Sequence, residues 1–339
     1  MGKAMWLWAL CIFVITSGNL RAQDIATNDF YADKKINLYI GFTAGGYDSY
    51  GRLLGRHINK HISGKPEIVP LNMPGAGSMK LALFLKDVAP RDGTALGIVD
   101  RGLFVSAFIN PQGQTFDFSQ LNWIGSITNE NLLCVSWHAS NVKTVEDLLT
   151  KRFIAGGISR TDISYTSVSL LNNVFGANIQ FIPGYPGSND LVLAIERGEV
   201  EGRCNWSQSS LMASRPQWLS ENKINVLLQY GMTRDTAFKD VPTALEIAKN
   251  DEDRSVIKFL FSPEEIARPF AAPPGISPAR LEALRNAFDA TMADRDFLGE
   301  AKKLNLDVNP RTGAQVASII QGITQAPANV VSRAKQVIK

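Results

Sequence analysis

Two glycine turns between Ile36 and Leu96 limit the chain to very few folds. Ile36–Thr43 and Ile68–Met73 are short apolar runs that read as buried strands. The first ends in Thr43-Ala44-Gly45-Gly46-Tyr47-Asp48, the second in Pro74-Gly75-Ala76-Gly77-Ser78, and each turn opens into a helical pattern. Leu53, Leu54, Ile58 and Ile62 share one side of a helix from about Asp48 to Ile62, which Gly64-Lys65-Pro66 stops. Met79–Ala89 forms the next helix, Pro90-Arg91-Asp92-Gly93 a turn and Thr94–Val99 a third strand. Strands alternating with helices at this spacing predict a parallel sheet covered by helices on both faces. Ligands of such sheets sit at the carboxyl ends of the strands, where both glycine turns fall. A bare-backbone turn at a helix start can present N–H groups to an anion.

The alternation then pauses and restarts. Leu103–Ile109 reads as a short helix, and Trp123–Ile127 and Leu132–Trp137 as consecutive strands. Phe153–Gly156, Ile179–Pro183, Val200–Asn205 and Ile224–Tyr230 predict a second sheet, with helices over Val145–Leu149 and Ile163–Phe175. Gly184-Tyr185-Pro186-Gly187-Ser188-Asn189 is a second loop of the glycine-turn kind, with Leu191, Val192 and Ile195 giving its helix an apolar face. Beyond Asp240-Val241-Pro242-Thr243 the pattern is mostly helical, interrupted by one strand at Arg268–Ala272. These late helices lack a sheet of their own and are expected to cover the first lobe. The chain then crosses between lobes twice, near Trp123–Val135 and Gln229–Thr243, which makes a hinge. The expected division is 23–125 and 240–339 for one lobe and 126–239 for the other.

The first residues read as a leader. Lys3 precedes an apolar run over Met5–Ile15, too short to span a bilayer, and Leu20-Arg21-Ala22 offers a small residue at a cut before Gln23. A chain freed of residues 1–22 is expected in the periplasm. It loses Lys3 and Arg21 and no acid, so the 35 Lys and Arg become 33 against 32 Asp and Glu, and the net charge falls from +3 to +1. That balance argues against nucleic acid as a partner. Cys134 and Cys204 then remain; paired and free thiols are both compatible with the sequence.

The chain resembles the periplasmic solute-binding proteins of tripartite tricarboxylate transporters, the Bug or TctC-type receptors. The likeness rests on the order of several pieces: Gly45-Gly46-Tyr47-Asp48 with Arg52-Leu53-Leu54, Asn72-Met73-Pro74-Gly75-Ala76-Gly77, Pro90-Arg91-Asp92-Gly93-Thr94, Tyr185-Pro186-Gly187, Asp240-Val241-Pro242-Thr243 and Phe270-Ala271-Ala272-Pro273-Pro274-Gly275. It implies an α/β, two-lobed fold of the type II periplasmic-binding-protein kind: two mostly parallel sheets flanked by helices, a two-crossing hinge and a ligand cleft between the lobes. It implies a receptor for a small carboxylated solute, which it delivers to a two-component membrane permease; a monomer taking a mono-, di- or tricarboxylate is expected, and an aromatic acid if two of Tyr47, Tyr185 and Trp206 face the cleft. In this family the carboxylate is held by backbone and small polar groups of the facing loops. The chain departs from the family where Arg160 enters a normally small, uncharged loop and where Asp100-Arg101-Gly102 follows the third strand.

Gly45, Gly46, Gly75, Ala76 and Gly77 are therefore expected to offer backbone contacts, although glycine also serves any tight strand–helix turn. Asp48 and Ser78 are candidates for ligand contact or for helix capping. Arg101 and Arg160 could hold a carboxylate through two parallel N–H···O bonds, or sit in solvent or in salt bridges; Arg203 is a weaker candidate of the same kind. Ser159, Thr161, Ser188 and Asn189 are short donors, with Gly187 supplying backbone. Tyr47 and Tyr185 could lean over a ligand.

Features of enzyme sites are missing. No Gly-x-Ser-x-Gly elbow, Walker loop or Gly-x-Gly-x-x-Gly after a strand occurs. His57 and His61 are four apart on one helix, but the glutamate of a metalloprotease motif does not follow His57. No cofactor and no metal is expected. The competing reading is a sensory receptor that presents its closed form to a membrane kinase.

Overall fold

The computed structural model describes residues 30–109, 116–158, 160 and 163–339. Alternating side chains build its first sheet. β1 (Lys35–Ile40) buries Ile36, Leu38 and Ile40 on one face and turns Asn37 and Tyr39 to the other. The first lobe continues through α1 (Gly46–His57), β2 (Glu67–Asn72), α2 (Met79–Asp87), β3 (Ala95–Ile98), α3 (Leu103–Ile109) and β4 (Asn122–Ser126). The second sheet uses β5 (Leu132–Trp137), α4 (Val145–Thr150), β6 (Arg152–Gly156), α5 (Ile163–Phe175) and β7 (Asn178–Ile182). It is completed by α6 (Ser188–Glu196), β8 (Gly202–Ser207), α7 (Gln208–Ser214), α8 (Gln217–Ser220) and β9 (Ile224–Tyr230). The chain closes with α9 (Asp251–Phe261), β10 (Pro269–Ala272), α10 (Pro278–Met292), α11 (Arg295–Lys303), β11 (Arg311–Thr312), α12 (Gly313–Thr324) and α13 (Ala328–Val337).

Both sheets follow one plan. The first has the order β11-β4-β10-β3-β1-β2 and the second β7-β6-β8-β5-β9. Pairing is parallel between β1 and its two neighbours, and between β6 and its two neighbours. In each sheet one interior strand runs against its two neighbours: β10 between β3 and β4, with the edge strand β11 sharing its direction, and β5 between β8 and β9. That strand is the first one laid down in its sheet after the chain arrives from the other sheet. Each sheet thus carries four strands pointing the same way, and their carboxyl ends face the gap between two lobes.

Sequence and structure differ at three helices. α7, α8 and α13 lie outside the helices that periodicity suggests. Gln208-Ser209-Ser210 gives α7 little apolar pattern, and tertiary contacts supply what propensity does not. Among the late helices α13 has contacts to both lobes. It packs on α3 and α9 and also on α5 of the second lobe. Asn173 Nδ2 donates to the Val337 carbonyl at 2.5 Å and the Tyr165 hydroxyl to that of Lys339 at 3.3 Å. One apolar core accordingly runs through both lobes, from Leu81 and Leu85 through Phe261, stacked on Tyr230 at 4.7 Å, to Leu170 and Leu171. A second core lies under α1, α10 and α11, and a third under α6 with Trp206 and Trp218.

Cys134 and Cys204 face each other across the β5–β8 pairing and form a disulfide between buried sulfurs 1.91 Å apart. His57 and His61 reach α11 instead of each other: His57 Nε2 lies 2.6 Å from Glu300 Oε2 and His61 Nε2 2.9 Å from Asp294 Oδ2. His61 is the main reason that the Asp294 carboxyl falls to about 2. An acid with a lowered value stabilises the fold above its ordinary range, and this contribution is lost as pH falls from the ordinary 3.8 toward 2.

The disulfide closes a loop with a sequence separation of 70, for which chain entropy assigns a stabilisation of roughly 4 kcal/mol. Thiol titration of the denatured, unreduced protein lacking residues 1–22 should therefore find no free thiol. Cys134→Ala/Cys204→Ala should lower the denaturation midpoint accordingly; one free thiol per Cys in the parent protein would contradict the pairing.

Candidate functional site

The β1–α1 turn brings the first lobe to the second. Gly45 occupies the N-cap position of α1 at φ 149° and has no side chain to cap it, so the first-turn N–H groups of Gly46, Tyr47 and Asp48 have no side-chain acceptor there. A Cβ on Gly46 would lie 3.2 Å from Ser210 Oγ and 3.4 Å from Ser209 Oγ of α7, so the two lobes meet here at glycine spacing. The Pro74–Ser78 turn is conformationally costly. Gly75, Ala76, Gly77 and Ser78 all have positive φ (147°, 46°, 59° and 74°), and the first three are exposed. In the second lobe Gly187 takes the N-cap position of α6, again without a side-chain cap. Thr144, Asn250, Asp294 and Thr312 cap α4, α9, α11 and α12 with side chains, whereas α2, α7, α8, α10 and α13 share with α1 and α6 the lack of a side-chain N-cap. The helix starts left uncapped at the strand ends are suited to a negatively charged group.

The candidate polar side chains are largely committed to the protein. Asp48 neither caps α1 nor stands free: both its oxygens accept from Arg52 Nε at 3.0 Å, and Asn72 Nδ2 donates to Oδ1 at 2.7 Å. This clamp ties α1 to β2. Ser78 is buried and its Oγ accepts from the Asp100 N–H at 3.2 Å. The Tyr47 hydroxyl accepts from the Arg101 N–H at 3.2 Å, and burial followed by the nearby Asp100 pushes this phenol up to about 12. Ser188 does not cap α6; its Oγ accepts from buried Arg203 at 2.7 Å, whose other amino group reaches the Asn205 carbonyl at 3.1 Å. Tyr185 lies against Gly156 and its hydroxyl meets Glu199. Asn189 is exposed at the first turn of α6.

The two arginines singled out from sequence part company. Arg101 is buried, and its guanidinium is taken by Glu264 Oε2 at 2.6 Å, Glu130 Oε1 at 3.6 Å and the Ala267 carbonyl at 3.0 Å. That corrects the expectation of a cleft-facing carboxylate clamp: its donors are occupied by the protein's own carboxylates. Arg160 is exposed and lies over the Tyr165 ring at 5.5 Å, beside a hollow of about 360 Å³ that also takes in Phe181 and Lys339. Ser159 and Thr161 lie outside the described residues. A larger hollow of about 400 Å³ separates Gln208 and Met212 of α7 from α11 and Leu306–Val308, on the flank of the lobe junction.

Sequence reading passed over the residues at the centre of the junction. Glu130, in the first crossing, and Arg268, just before β10, are buried and paired with each other, and Arg268 Nη2 donates to Ser209 Oγ at 2.6 Å. Asn205 holds a strained φ of 145° within β8. No local motif marks these positions; only the topology, which brings residues 130, 209 and 268 together, could have.

The model of the tripartite tricarboxylate transporter family receptor, TctC, matches residues 52–338. The chain belongs to this family. TctC proteins are solute-binding receptors, not enzymes, and the family works with a membrane transporter. Solved structures share the fold. The periplasmic binding protein BugD superposes with a TM-score of 0.67 at 16% identity, covering 90% of this chain and 97% of its own. MatC from Rhodopseudomonas palustris, solved with bound malate, gives 0.65 at 19% identity over 90% and 99%. A second R. palustris protein, solved with adipate, gives 0.66 at 18% identity over 90% and 96%. No curated protein matches the sequence. Among the described residues of this TctC protein, no group of three His, Cys, Asp or Glu could hold a metal ion, and no helix is long and apolar enough to cross a membrane.

Burial lifts Glu264 from 4.5 to about 7 against the pull of Arg101, with Glu130 and Asp100 adding to the rise. A raised acid binds its proton more tightly in the folded state. Its contribution is complete below the ordinary value and is lost as pH rises through about 7. The unfolding free energy should therefore decline from pH 4.5 toward 7 by an amount that Glu264→Gln removes. Chemical denaturation of both proteins at several pH values checks this, and parallel profiles would show that Glu264 does not titrate there.

Proposed function

We propose that the protein is an extracytoplasmic receptor that closes its two lobes on a small carboxylated solute and delivers it to a two-component membrane permease. The observation that carries this reading is the junction itself. The uncapped start of α1 meets the second lobe at glycine spacing, and the second lobe offers the uncapped start of α6, backed by the Arg203–Ser188 bond. Family membership and the malate and adipate held by relatives of the same fold support a carboxylate. A near-neutral mature chain leaves charge selection to local groups, and helix starts supply it without a full countercharge.

In this mechanism the solute enters between open lobes. One carboxylate meets the first-lobe N–H groups of Gly46–Asp48 and the exposed Gly75–Gly77 turn. The rest of the solute meets the Tyr185–Asn189 loop. A ligand that touches both walls binds the closed form better and shifts the population toward it, and the permease reads that closure. The leader before Gln23 would direct the chain to the periplasm, where it works as a monomer, with residues 23–125 and 240–339 moving against 126–239.

A thermal-shift screen of residues 23–339 tests the reading. The panel pairs malate and adipate with their diamides and adds tricarboxylates, aromatic acids, amino acids and neutral sugars. A solute at a hundred times its dissociation constant stabilises by ~2.7 kcal/mol, a readable shift. At least one acid should shift the transition while its diamide does not. Silence across all acids, with a shift from a neutral or cationic compound, would reject the carboxylate.

A further inference from the structure

The first turn of α7 is held by side chains that do not belong to its lobe. Glu130 Oε2 accepts from the Ser209 N–H at 3.0 Å, and Oε1 accepts from Ser209 Oγ at 3.1 Å. Arg268 Nη2 donates to Ser209 Oγ at 2.6 Å and to Ser207 Oγ at 3.4 Å, and also pairs with Glu130. Arg268 enters β10 of the first sheet; Ser207 and Ser209 leave β8 of the second. All three groups that make the contact are almost wholly buried: Arg268 is 1% exposed, Ser209 3% and Glu130 7%. The same guanidinium lies over the rings of Tyr47 at 4.4 Å and Tyr50 at 5.2 Å, both on α1. A Cβ on Gly46 would stand 3.0 Å from Arg268 Nη2. One cation therefore touches the glycine turn of one lobe and the serine turn of the other.

We propose that Arg268 is a positioning residue for ligand capture: with Glu130 it draws the first turn of α7 onto the Gly45–Gly46 turn and sets the closed spacing of the lobes. The proposal rests on the receptor reading above for its bearing on ligands, though not for the latch itself. The latch is built entirely from the chain's own groups, so the closed spacing is populated without solute. A solute adds its own bridge to that spacing. Loss of the latch leaves entry to the open form unchanged and makes the closed complex fall open sooner.

Glu130 is the member that cannot be spared by either side. The remaining groups around it are Arg101 at 3.6 Å, itself held by Glu264, and the α7 N–H of Ser209. Arg268 supplies reach toward the second lobe, because its Nη2 is shared among Glu130, Ser207 and Ser209. A lysine carries the charge but not the fork.

The test is the interlobe distance. Spin labels on Ser220→Cys and Lys303→Cys, both exposed positions, report it by pulsed electron resonance. The parent chain without solute should give one dominant short distance. Arg268→Met should move the distribution to longer, broader distances with an unchanged far-ultraviolet spectrum, and Arg268→Lys should fall between them. Ser209→Ala, which removes a single hydroxyl, should move it the same way by less and covers the case in which Arg268→Met does not fold. With malate or adipate, whichever binds the parent, the dissociation rate should rise by about tenfold or more, the scale of a lost charge-assisted hydrogen bond, and the observed association rate should rise as well, because more of the free chain is open to entry. Distances in Ser209→Ala and in a folded Arg268 variant that match the parent, or a parent already open without solute, would overturn the latch. Failure of every acid to bind the parent would strike the receptor reading and leave the distances to decide the latch.

Discussion

One carboxylate, that of Glu130, holds the junction together. It sits in the first crossing between the sheets, buried, with arginines of one lobe on one side and the start of a helix of the other lobe on the other. Removing one partner from such an arrangement leaves an uncompensated charge in a dry place, which costs several kcal/mol. Replacing all of it by apolar residues is often neutral for stability. What apolar residues cannot do is give α7 an acceptor for its first-turn N–H. The cluster is thus better understood as fixing where α7 sits than as holding the protein folded.

The pivot around this cluster is stiffer than two crossings alone would make it. An apolar core runs from the first lobe through α9 and α13 into the second, and α13 bonds to α5 through Asn173. The lobe closure proposed above would then be a rotation that keeps this continuous side packed while the glycine-turn side opens. Close-packed interiors favour discrete arrangements over gradual deformation. Gly46 fits that picture, since a Cβ there would stand 3.0 Å from Arg268 Nη2 and 3.2 and 3.4 Å from the Ser210 and Ser209 hydroxyls of α7.

Much of this was legible in the chain. Strict alternation in Ile36, Leu38 and Ile40, and helical spacing in Leu53 and Leu54, located the first sheet and its helix because burial enforces those periods. The turns at Gly45 and Gly187 could be read as strand-to-helix turns, but not their missing caps, since Asp48 and Ser188 looked able to cap and are instead held by Arg52 and Arg203. Arg101 could not be placed: its neighbours Asp100 and Gly102 say nothing of Glu264, 163 residues later in the chain by their numbering. The same holds for Glu130, Ser209 and Arg268, which no spacing rule connects. α7 escaped because serines at Ser207, Ser209 and Ser210 look like loop, and its start is satisfied by Glu130 from a distant part of the chain. Local patterns carry local structure; a charge network assembled by topology leaves no pattern.

The division of labour at the junction follows from charge. Arg101 and Arg268 are matched by Glu130 and Glu264, so with both acids ionised the buried cluster is balanced and presents no net charge to a solute. Attraction for an anion then falls to the partial charges of helix starts and turn N–H groups, which act at short range. Short-range donors fixed to backbone discriminate by shape, because a solute must bring its oxygen to them; a flexible surface arginine would meet many anions half-way. A junction that commits its full charges to its own spacing therefore leaves the backbone donors of its turns as the groups whose selectivity depends on where an anion's oxygens can reach.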